Sequence, residues 1–432
     1  MSAIRTLGHY RAWLTPVVLI VGLAALLPAI YLSATVDPQG HLDGLPVALV
    51  VEEQSNADAP SAADLPVPDL AASVADAVEA GVGDKVALTR MTAEQMSTRI
   101  EDDRLAGAVV IPGDFDRAVA SLLPGAREVT VPTVQIVTNA GDGGLANGLL
   151  VANLTPVLHG VAQGLGERLS AQLDPGDLSP AGAALLAEPF RVVSAPHEQL
   201  PASSGMGTSA FYYSLVLVLI GFIGASLVGP LVDSAVGFLP SEVGPLVQRR
   251  PYLHVSRPGT LLTKLAILTA AAPLAALVAQ LVATGPVGVP VADPVMLWLF
   301  STAVVAAIGT SALTVFAIFG SGIGSLVNTV FFIALSMTSS GGTVPLEAVP
   351  PFFRWISVVE PFRPVVDGIR SLFYFQGSAD AGLADAWVSV GVGGSAGIVL
   401  GLAVTYLYGK VPAFDRRPPH REPAPTATGA PA

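Results

Sequence analysis

The sequence predicts a polytopic α-helical membrane protein with six transmembrane helices. A small α/β extracytoplasmic domain is predicted between helices 1 and 2, and a re-entrant amphipathic helix between helices 5 and 6. Hydrophobic residues make up 52% of the 432 residues, charged residues make up 12%, and the mean hydropathy is +0.62. These values are typical of membrane proteins. Long uncharged runs indicate the helices, and a strand–helix alternation near the N-terminus indicates the α/β domain.

Five uncharged runs are long enough to cross a bilayer, which takes about 20 apolar residues in a helix. They are residues 12–36, 199–232, 265–292, 294–346 and 386–409. The run 294–346 is too long for one helix, and the segment FGSGIGS at 319–325 is expected to divide it. The predicted spans are therefore about 14–33, 210–232, 261–283, 295–318, 323–339 and 387–408.

Basic residues near the spans predict the orientation, because cytoplasmic loops of membrane proteins are enriched in Lys and Arg. With six spans, the basic residues before the first span, between the second and third, and after the sixth all lie on one side. They are Arg5, Arg11, Arg249, Arg250, Arg257, Lys264, Lys410, Arg416, Arg417 and Arg421. We therefore expect a multi-pass protein of the plasma membrane with both termini in the cytoplasm. The first span lacks a clean signal-peptide cleavage site, so we expect it to be retained.

This orientation divides the chain into four regions. They are a cytoplasmic N-terminus with the first helix (1–34), an extracytoplasmic α/β domain (35–209), a five-helix membrane domain (210–409) and a disordered cytoplasmic tail (410–432). The membrane domain contains a cytoplasmic loop at 233–259. It also contains an outer segment at 340–385, which holds the predicted re-entrant helix.

The α/β domain is predicted from short apolar runs bounded by Pro, Gly or charged residues. Strands are expected at 46–51, 106–111 and 133–138, and helices at 92–105, 112–123 and 145–169. Thr92 and Gln95 have the spacing of a capping box at the start of the first of these helices. Alternating strands and helices are typical of an α/β domain. Residues 172–209 are rich in Pro, Gly, Ser and Ala and are expected to form a loose return to the membrane.

The sequence also excludes several kinds of chemistry. The chain has no Cys, so it forms no disulfide and no thiolate metal site. It contains no P-loop motif G-x-x-x-x-G-K-[ST], and neither H-E-x-x-H nor G-x-S-x-G occurs. The six His residues are scattered, so we predict no metal, no cofactor and no enzymatic activity. Residues 37–198 carry 23 acidic and 8 basic side chains, which argues against nucleic acid as a partner.

Small residues in the sixth span indicate a close helix contact. Gly393, Gly397 and Gly401 lie four residues apart and form a flat stripe on which another helix backbone can pack. The partner helix belongs either to the same bundle or to a second protomer.

The loop 233–259 is longer than a minimal connection and ends in basic residues. Positive charge in a cytoplasmic loop anchors the adjoining helices, and this accounts for part of the pattern. The loop is also a candidate docking surface for a soluble partner, with Glu242, Arg249 and Arg250 as contact residues.

The segment EPFRPVVDGIR at 360–370 concentrates charge between two apolar stretches. Seven of the 28 aromatic residues of the chain fall within 352–375, which is typical of a membrane–water interface. At 100° per residue the charged side chains share one face of a helix and the apolar ones share the other. We expect ion pairs between Arg363 and Asp367 and between Asp367 and Arg370. The segment is either a structural seam or a substrate gate, with candidate residues Glu347, Glu360, Arg363, Asp367 and Arg370.

Three blocks of the sequence resemble the type-2 ABC exporter permeases, and within them the phage-infection-protein (YhgE/Pip-like) branch. The blocks are LPVALVVEE (45–53), RLAGAVVIPGDFDRAVASL (104–122) and SSGGTVPLEAVPPFFRWISVVEPFRPVVDGIRSLFYF (339–375). The resemblance covers nearly the whole chain. It implies a homodimer of six-helix bundles, a separate P-loop ATPase that presses on the loop between the second and third spans, and a re-entrant outer connection at 341–380.

Two functions are compatible with these observations. The first is a membrane permease subunit of an ABC-type exporter, which moves an amphipathic or lipid-like substrate outward while a separate ATPase supplies the energy. The second is a non-transporting surface or secretion-associated protein, whose outer domain binds a cell-wall component, a phage or a secretion machine. Both place the chain among membrane lipids. The family resemblance and the absence of a P-loop favour the first.

Overall fold

The chain folds into an α/β domain and a helical bundle, joined along one end of the bundle. The structure, a computed structural model, describes residues 10–53, 69–124, 128–173, 179–243, 245–248 and 250–414. The first element is helix α1 (Tyr10–Thr35), which carries no charged residue after Arg11. Its end contacts the bundle, where the Tyr31 hydroxyl lies 3.6 Å from the Met337 sulfur.

A five-stranded sheet forms the centre of the α/β domain. Its strands are β1 (Leu45–Val51), β2 (Val86–Arg90), β3 (Gly107–Ile111), β4 (Thr133–Thr138) and β5 (Arg191–Pro196), in the order β2-β1-β3-β4-β5. The β3–β4 pair is antiparallel, and the other pairs are parallel. The three predicted strands are β1, β3 and β4. The sequence patterns missed β2 and β5, which lie at the two edges and have more exposed side chains.

Helices cover the sheet and complete the domain core. They are α2 (Leu70–Val82), α3 (Ala93–Glu101), α4 (Phe115–Ala120), α5 (Gly144–Ser170) and α6 (Pro180–Ala187). The predicted capping box of α3 is present, with both bonds between Thr92 and Gln95 at 3.2 Å. The expectation of a loose return after residue 172 is wrong for α6 and β5. Leu186 and Phe190 are buried in the domain core there and hold this segment on the sheet.

The bundle follows in the chain order α7, α8, α9. Helix α7 (Ser209–Ala235) leaves the domain, and a small hairpin of β6 (Ser241–Val243) and β7 (Leu246–Gln248) connects it to α8 (Arg257–Thr284). Helix α9 (Pro294–Asn328) contains one residue with non-helical backbone, Gly320 at φ 75° and ψ 179°. A π-helical segment, Thr329–Leu335, and a last helical turn, Ser336–Ser339, continue α9.

Gly320 turns α9 back on itself. The Asn328 side-chain amide donates to the Ala312 carbonyl at 3.2 Å, and a Cβ on Gly324 would lie 3.0 Å from Phe316. These two pairs are both centred on residue 320, as two antiparallel arms require. The predicted break within 319–325 is therefore confirmed, and residues 294–339 form two antiparallel arms.

Six helices of the described chain are long and apolar enough to cross a membrane: 17–35, 144–170, 209–235, 257–284, 294–339 and 379–410. One of these, α5, packs its Leu149, Leu150, Leu154 and Leu158 into the core of the α/β domain. Another, 294–339, is the hairpin around Gly320. If α5 is set aside and the hairpin is divided into its two arms, the described chain has six candidate spans, the number that the sequence predicts.

Two short helices and one long helix complete the bundle. After the hairpin come α10 (Pro351–Ile356), α11 (Phe362–Tyr374) and the final helix α12 (Ala384–Lys410). Arg5, Arg249 and the tail 415–432, with its predicted disorder and three Arg residues, lie outside the described residues. The backbone of Glu242 belongs to β6, but its side chain is not described.

Candidate functional site

Helix α11 is the predicted amphipathic helix, and its start is set by Glu360. This carboxylate accepts the backbone N–H of Phe362 at 2.6 Å and that of Arg363 at 2.8 Å. Two prolines in and next to the first turn cost no hydrogen bond, because N–H groups there have no helical acceptor. Glu360 is only 3% exposed, and this burial raises its pKa to about 8 against the opposing effect of the two N–H groups.

The apolar face of α11 packs into the bundle. The side chains predicted to lie opposite the charges are all buried: Val365, Val366, Ile369, Leu372 and Phe373. Gly368 gives the closest approach, since a Cβ there would lie within 2.8 Å of both Phe300 and Ala386. The amphipathic pattern is therefore confirmed, and α11 is fixed against α7, α9 and α12.

Arg370 projects from α11 into the α/β domain. Its Nη1 atom lies 3.6 Å from Asp142 Oδ1 and 3.7 Å from Asp103 Oδ2. Its Nη2 atom donates to the carbonyls of Asp142 and Gly341, both at 3.3 Å. The side chain is only 8% exposed, so this guanidinium is enclosed by the contact between the two parts of the molecule.

The local pairing expected along α11 is therefore half right. Arg363 and Asp367 form the predicted i,i+4 pair at 3.8 Å. Arg370, which was expected to pair with Asp367, makes its ion pairs with the two domain aspartates instead. Spacing along a helix cannot reveal this, because it considers only charges of the same helix.

The two aspartates at Arg370 differ in their environment. Asp103 accepts a hydrogen bond from the side-chain amide of Asn139 at 2.9 Å. Burial raises the pKa of Asp142 well above its ordinary value, and the nearby charge of Asp103 raises it further, while Arg370 opposes both. Burial therefore favours the protonated form of Asp142, although it lies beside Arg370.

A cleft of about 450 Å³ opens beside this contact, between the α/β domain and α11. Carboxylates outnumber arginines among its described lining residues. They are Asp102, Asp103, Asp142, Glu347, Asp367, Asp380 and Asp385, against Arg104, Arg363 and Arg370. Of the predicted gate residues, only Glu360 lies outside this wall, because it is buried at the start of α11. No group of three or more His, Asp or Glu residues in the described chain is arranged to hold a metal ion.

Two further contacts hold the domain on the bundle. Arg354 of α10 pairs with Asp43 at 3.0 Å, and the Asp43 backbone N–H donates to the Glu347 carbonyl at 2.9 Å. Tyr374 of α11 donates to the Ser204 carbonyl at 3.0 Å and accepts the backbone N–H of Ala210 at 3.2 Å. No pattern in the sequence indicates these contacts beyond the acidic excess of the domain.

The glycine stripe of α12 is used within the chain. A Cβ on Gly397 would lie 2.6 Å from the Ser311 hydroxyl, and one on Gly401 would lie 2.4 Å from the Thr314 hydroxyl. Gly393 does not belong to this contact, because it has open space around it, and Gly394 faces Ala307 instead. The contact follows steps of three and four residues, as helix geometry requires, rather than steps of four alone.

The proposed docking loop lies at the other end of the bundle. Helix α7 starts beside Tyr374 and runs for 27 residues, about 40 Å, to the loop. Arg250 is exposed there. Behind the loop, Lys264 of α8 pairs with Asp233 of α7 at 2.8 Å. We call this the far end of the bundle.

Comparison with known families adds the identity that geometry alone does not supply. Residues 12–408 match the family model described as ABC-2 family transporter protein. A comparison with curated proteins and one with solved structures each gave no match. Members of the matched family are transporters rather than classical enzymes, and the family implies a membrane-embedded permease that pairs with an ATPase subunit. Because the match covers nearly the whole chain, this protein belongs to the ABC-2 family of transporter proteins.

Proposed function

We propose that this chain is the permease subunit of an ABC-type exporter that moves an amphipathic or lipid-like substrate outward. A separate P-loop ATPase supplies the energy, and two copies of the chain form the working unit. The α/β domain lies outside the cell and the far end of the bundle faces the cytoplasm. The observation that carries the proposal is the combination of a transporter family with a sequence that lacks a P-loop.

The geometry supports different roles for the two ends of the bundle. The β6–β7 hairpin and its basic neighbours offer a contact for the ATPase, with Glu242, Arg249 and Arg250 as the candidate residues. Helix α7 runs directly from that loop to the contact with α11. A displacement of the hairpin would therefore reach α11, and Arg370 would pass it to the α/β domain.

Crosslinking the full chain in its host membrane and identifying captured proteins by mass spectrometry tests the ATPase partner. We expect recovery of a P-loop ATPase, and its loss with the charge reversal Arg250→Glu. Arg191→Glu, an exposed residue of the α/β domain, is the matched control. Failure to recover any ATPase from wild type contradicts the proposal, and so does equal recovery from Arg250→Glu and from wild type.

Two point variants and one deletion distinguish transport from a surface-binding role. Export driven by an ATPase requires both the far end and the domain contact, so Arg250→Glu and Arg370→Gln are each expected to abolish the cellular phenotype of the chain. A protein that only binds a cell-wall component, a phage or a secretion machine would lose function on deletion of residues 40–200 and keep it with Arg250→Glu.

A further inference from the structure

A cavity of about 310 Å³ lies at the far end of the bundle, between α7, α8, α12 and the turn of α9. One part of its wall is apolar and includes Leu313 and Phe316. Another part is polar and includes the ion pair of Asp233 with Lys264. Binding sites for small molecules commonly combine this size with apolar surface and a few polar groups. The cavity therefore has the size and the lining of a site for a small amphipathic molecule.

One oxygen of the Asp233 carboxylate lacks a hydrogen-bond donor. The Oδ2 atom pairs with Lys264 Nζ at 2.8 Å, but the Oδ1 atom is buried and accepts no hydrogen bond from the residues that the structure describes. A buried acceptor without a donor is unfavourable, and the cost is larger for a charged group. A ligand that donates a hydrogen bond to Oδ1 would remove this cost.

Three hydroxyl groups of the wall add further acceptors. Those of Ser226, Thr260 and Thr405 each donate a hydrogen bond to the backbone carbonyl four residues earlier, at 3.0, 3.1 and 2.7 Å. A hydroxyl group has one proton and two lone pairs, so these oxygens can still accept hydrogen bonds but have no further proton to donate. Together with Asp233 Oδ1 they select a ligand that carries several donors.

The charges of the wall favour a neutral ligand. Asp233 and Lys264 compensate each other, and the remaining charged residue of the described lining, Arg257, donates to the Phe414 carbonyl and lies against the Tyr408 ring. An organic cation would meet two basic side chains and one carboxylate. An anion would lie beside the Oδ1 atom of that carboxylate. A neutral headgroup with hydroxyl groups avoids both kinds of repulsion.

We propose that this cavity binds a neutral amphiphile whose headgroup carries hydroxyl groups, such as a monoacylglycerol. The headgroup donates to Asp233 Oδ1 and to the hydroxyl oxygens, and the hydrocarbon chain packs against Leu313 and Phe316. Because α7, α8 and α12 are candidate membrane spans, such a lipid can reach their ends from the bilayer. In the proposed function this end faces the cytoplasm, so the cavity is where an exported substrate first binds. Only this last step rests on the proposed function.

Native mass spectrometry of the purified full chain tests the site. The protein is kept in lauryldimethylamine oxide, a detergent whose headgroup has no hydroxyl group. The probes are monolauroylglycerol and methyl laurate, which have the same acyl chain and differ in their hydroxyl donors. We expect tighter binding of monolauroylglycerol than of methyl laurate. Laurate and dodecylammonium, which carry a charge on a chain of the same length, should also bind more weakly than monolauroylglycerol.

Variants of the wall test the predicted acceptors. Thr405→Val removes one acceptor and should weaken monolauroylglycerol binding about fivefold, the effect of one neutral hydrogen bond. The matched control is Thr302→Val, because Thr302 lies outside the cavity and makes the same kind of bond, to the Trp298 carbonyl. The double variant Asp233→Leu/Lys264→Met replaces the ion pair with apolar side chains, a change that proteins often tolerate. It should weaken binding about tenfold or more, and its unfolding temperature shows that it folds.

Equal binding of monolauroylglycerol and methyl laurate would overturn the assignment, and so would tighter binding of laurate or of dodecylammonium. Unchanged binding by both Thr405→Val and the folded double variant would overturn it as well. In cells, the double variant should lose the phenotype and still capture the ATPase. A retained phenotype would show that the cavity is not on the path of the substrate. Failure of wild type to capture an ATPase would instead contradict the proposed function and leave the binding site unaffected.

Discussion

A buried guanidinium needs a negative charge within reach, and Arg370 finds it in a different part of the fold. Asp103 and Asp142 come from loops of the α/β domain, more than 200 residues before Arg370 in the sequence. The enclosed ion pair adds little net stability by itself, because removing both partners from water costs about as much as their attraction returns. Its effect is to fix one position of the domain on the bundle, since any other position leaves a buried charge unpaired.

The two aspartates at Arg370 should respond differently to substitution. Asp103→Asn removes one of the two carboxylates that pair with the buried Arg370 and should lower the free energy of unfolding by about 3–5 kcal/mol. Asp142→Asn imitates the protonated form that burial favours, and should cost about 1 kcal/mol or less. Thermal unfolding of the purified chain in detergent measures both. If Asp142→Asn is the more damaging change, burial does not favour the protonated form of Asp142.

Glu360 should make stability depend on pH. Its pKa rises from an ordinary 4.5 to about 8 in the fold, so the fold favours the protonated form. The contribution is fully present below pH 4.5 and is lost as the pH rises through 8. Glu360→Gln keeps an oxygen for the two N–H groups and cannot ionise. As the pH rises over this range, the unfolding temperature of Glu360→Gln should therefore increase relative to that of wild type.

The control for this experiment is Glu94→Gln, an exposed carboxylate on α3. Its unfolding temperature should follow that of wild type at every pH. If Glu360→Gln also follows wild type, the Glu360 carboxyl does not change its protonation on folding.

At the level of elements, the turn between the two arms of α9 depends on one residue. The backbone of Gly320, at φ 75° and ψ 179°, lies in a region that only glycine visits readily. Its two neighbours in the turn, Phe319 and Ser321, are both partly or largely exposed, so no side-chain packing replaces this freedom.

Substitution of Gly320 should therefore destabilise the protein, although a larger side chain would meet no neighbouring atom. Gly320→Ala meets nothing within 4 Å, yet it should destabilise the hairpin by about 1–3 kcal/mol through backbone strain. Gly322→Ala is the matched control, because Gly322 is helical and also exposed, and Ala there should be neutral or slightly stabilising. Unfolding temperatures in detergent distinguish the two. Equal effects would mean that the turn does not require a left-handed residue.

Local patterns predicted the elements well, and the contacts between them poorly. The capping box at Thr92, the break at Gly320 and the buried face of α11 each depend on residues within one or two turns of each other. Strand β5 escaped notice because its side chains are mostly exposed and its partner, β4, lies more than 50 residues earlier in the sequence. The ion pair of Asp103 with Arg370 could not be predicted for the same reason, because only the fold brings these two residues together.

At the level of the whole molecule, the two ends of the bundle should face opposite sides of the membrane. The chain has no Cys, so single cysteines can report on each side without background. Lys85→Cys in the α/β domain should react with a membrane-impermeant maleimide in intact cells. Val247→Cys in the far-end hairpin should react only after the cells are opened. Labelling of both in intact cells, or the reverse pattern, contradicts the proposed orientation.

The second arm of the hairpin contains a π-helical segment, Thr329–Leu335. Its hydrogen bonds span five residues where those of an α-helix span four, so the segment contains more residues per turn than an α-helix does. Returning one such turn to α-helical geometry would release a residue and rotate everything beyond it by about 100°. The residues beyond it are Ser336–Ser339 and the carbonyl of Gly341, which Arg370 holds. The π-helical segment thus lies a few residues before the Arg370 contact that joins the bundle to the α/β domain, and a change in its geometry would rotate one side of that contact.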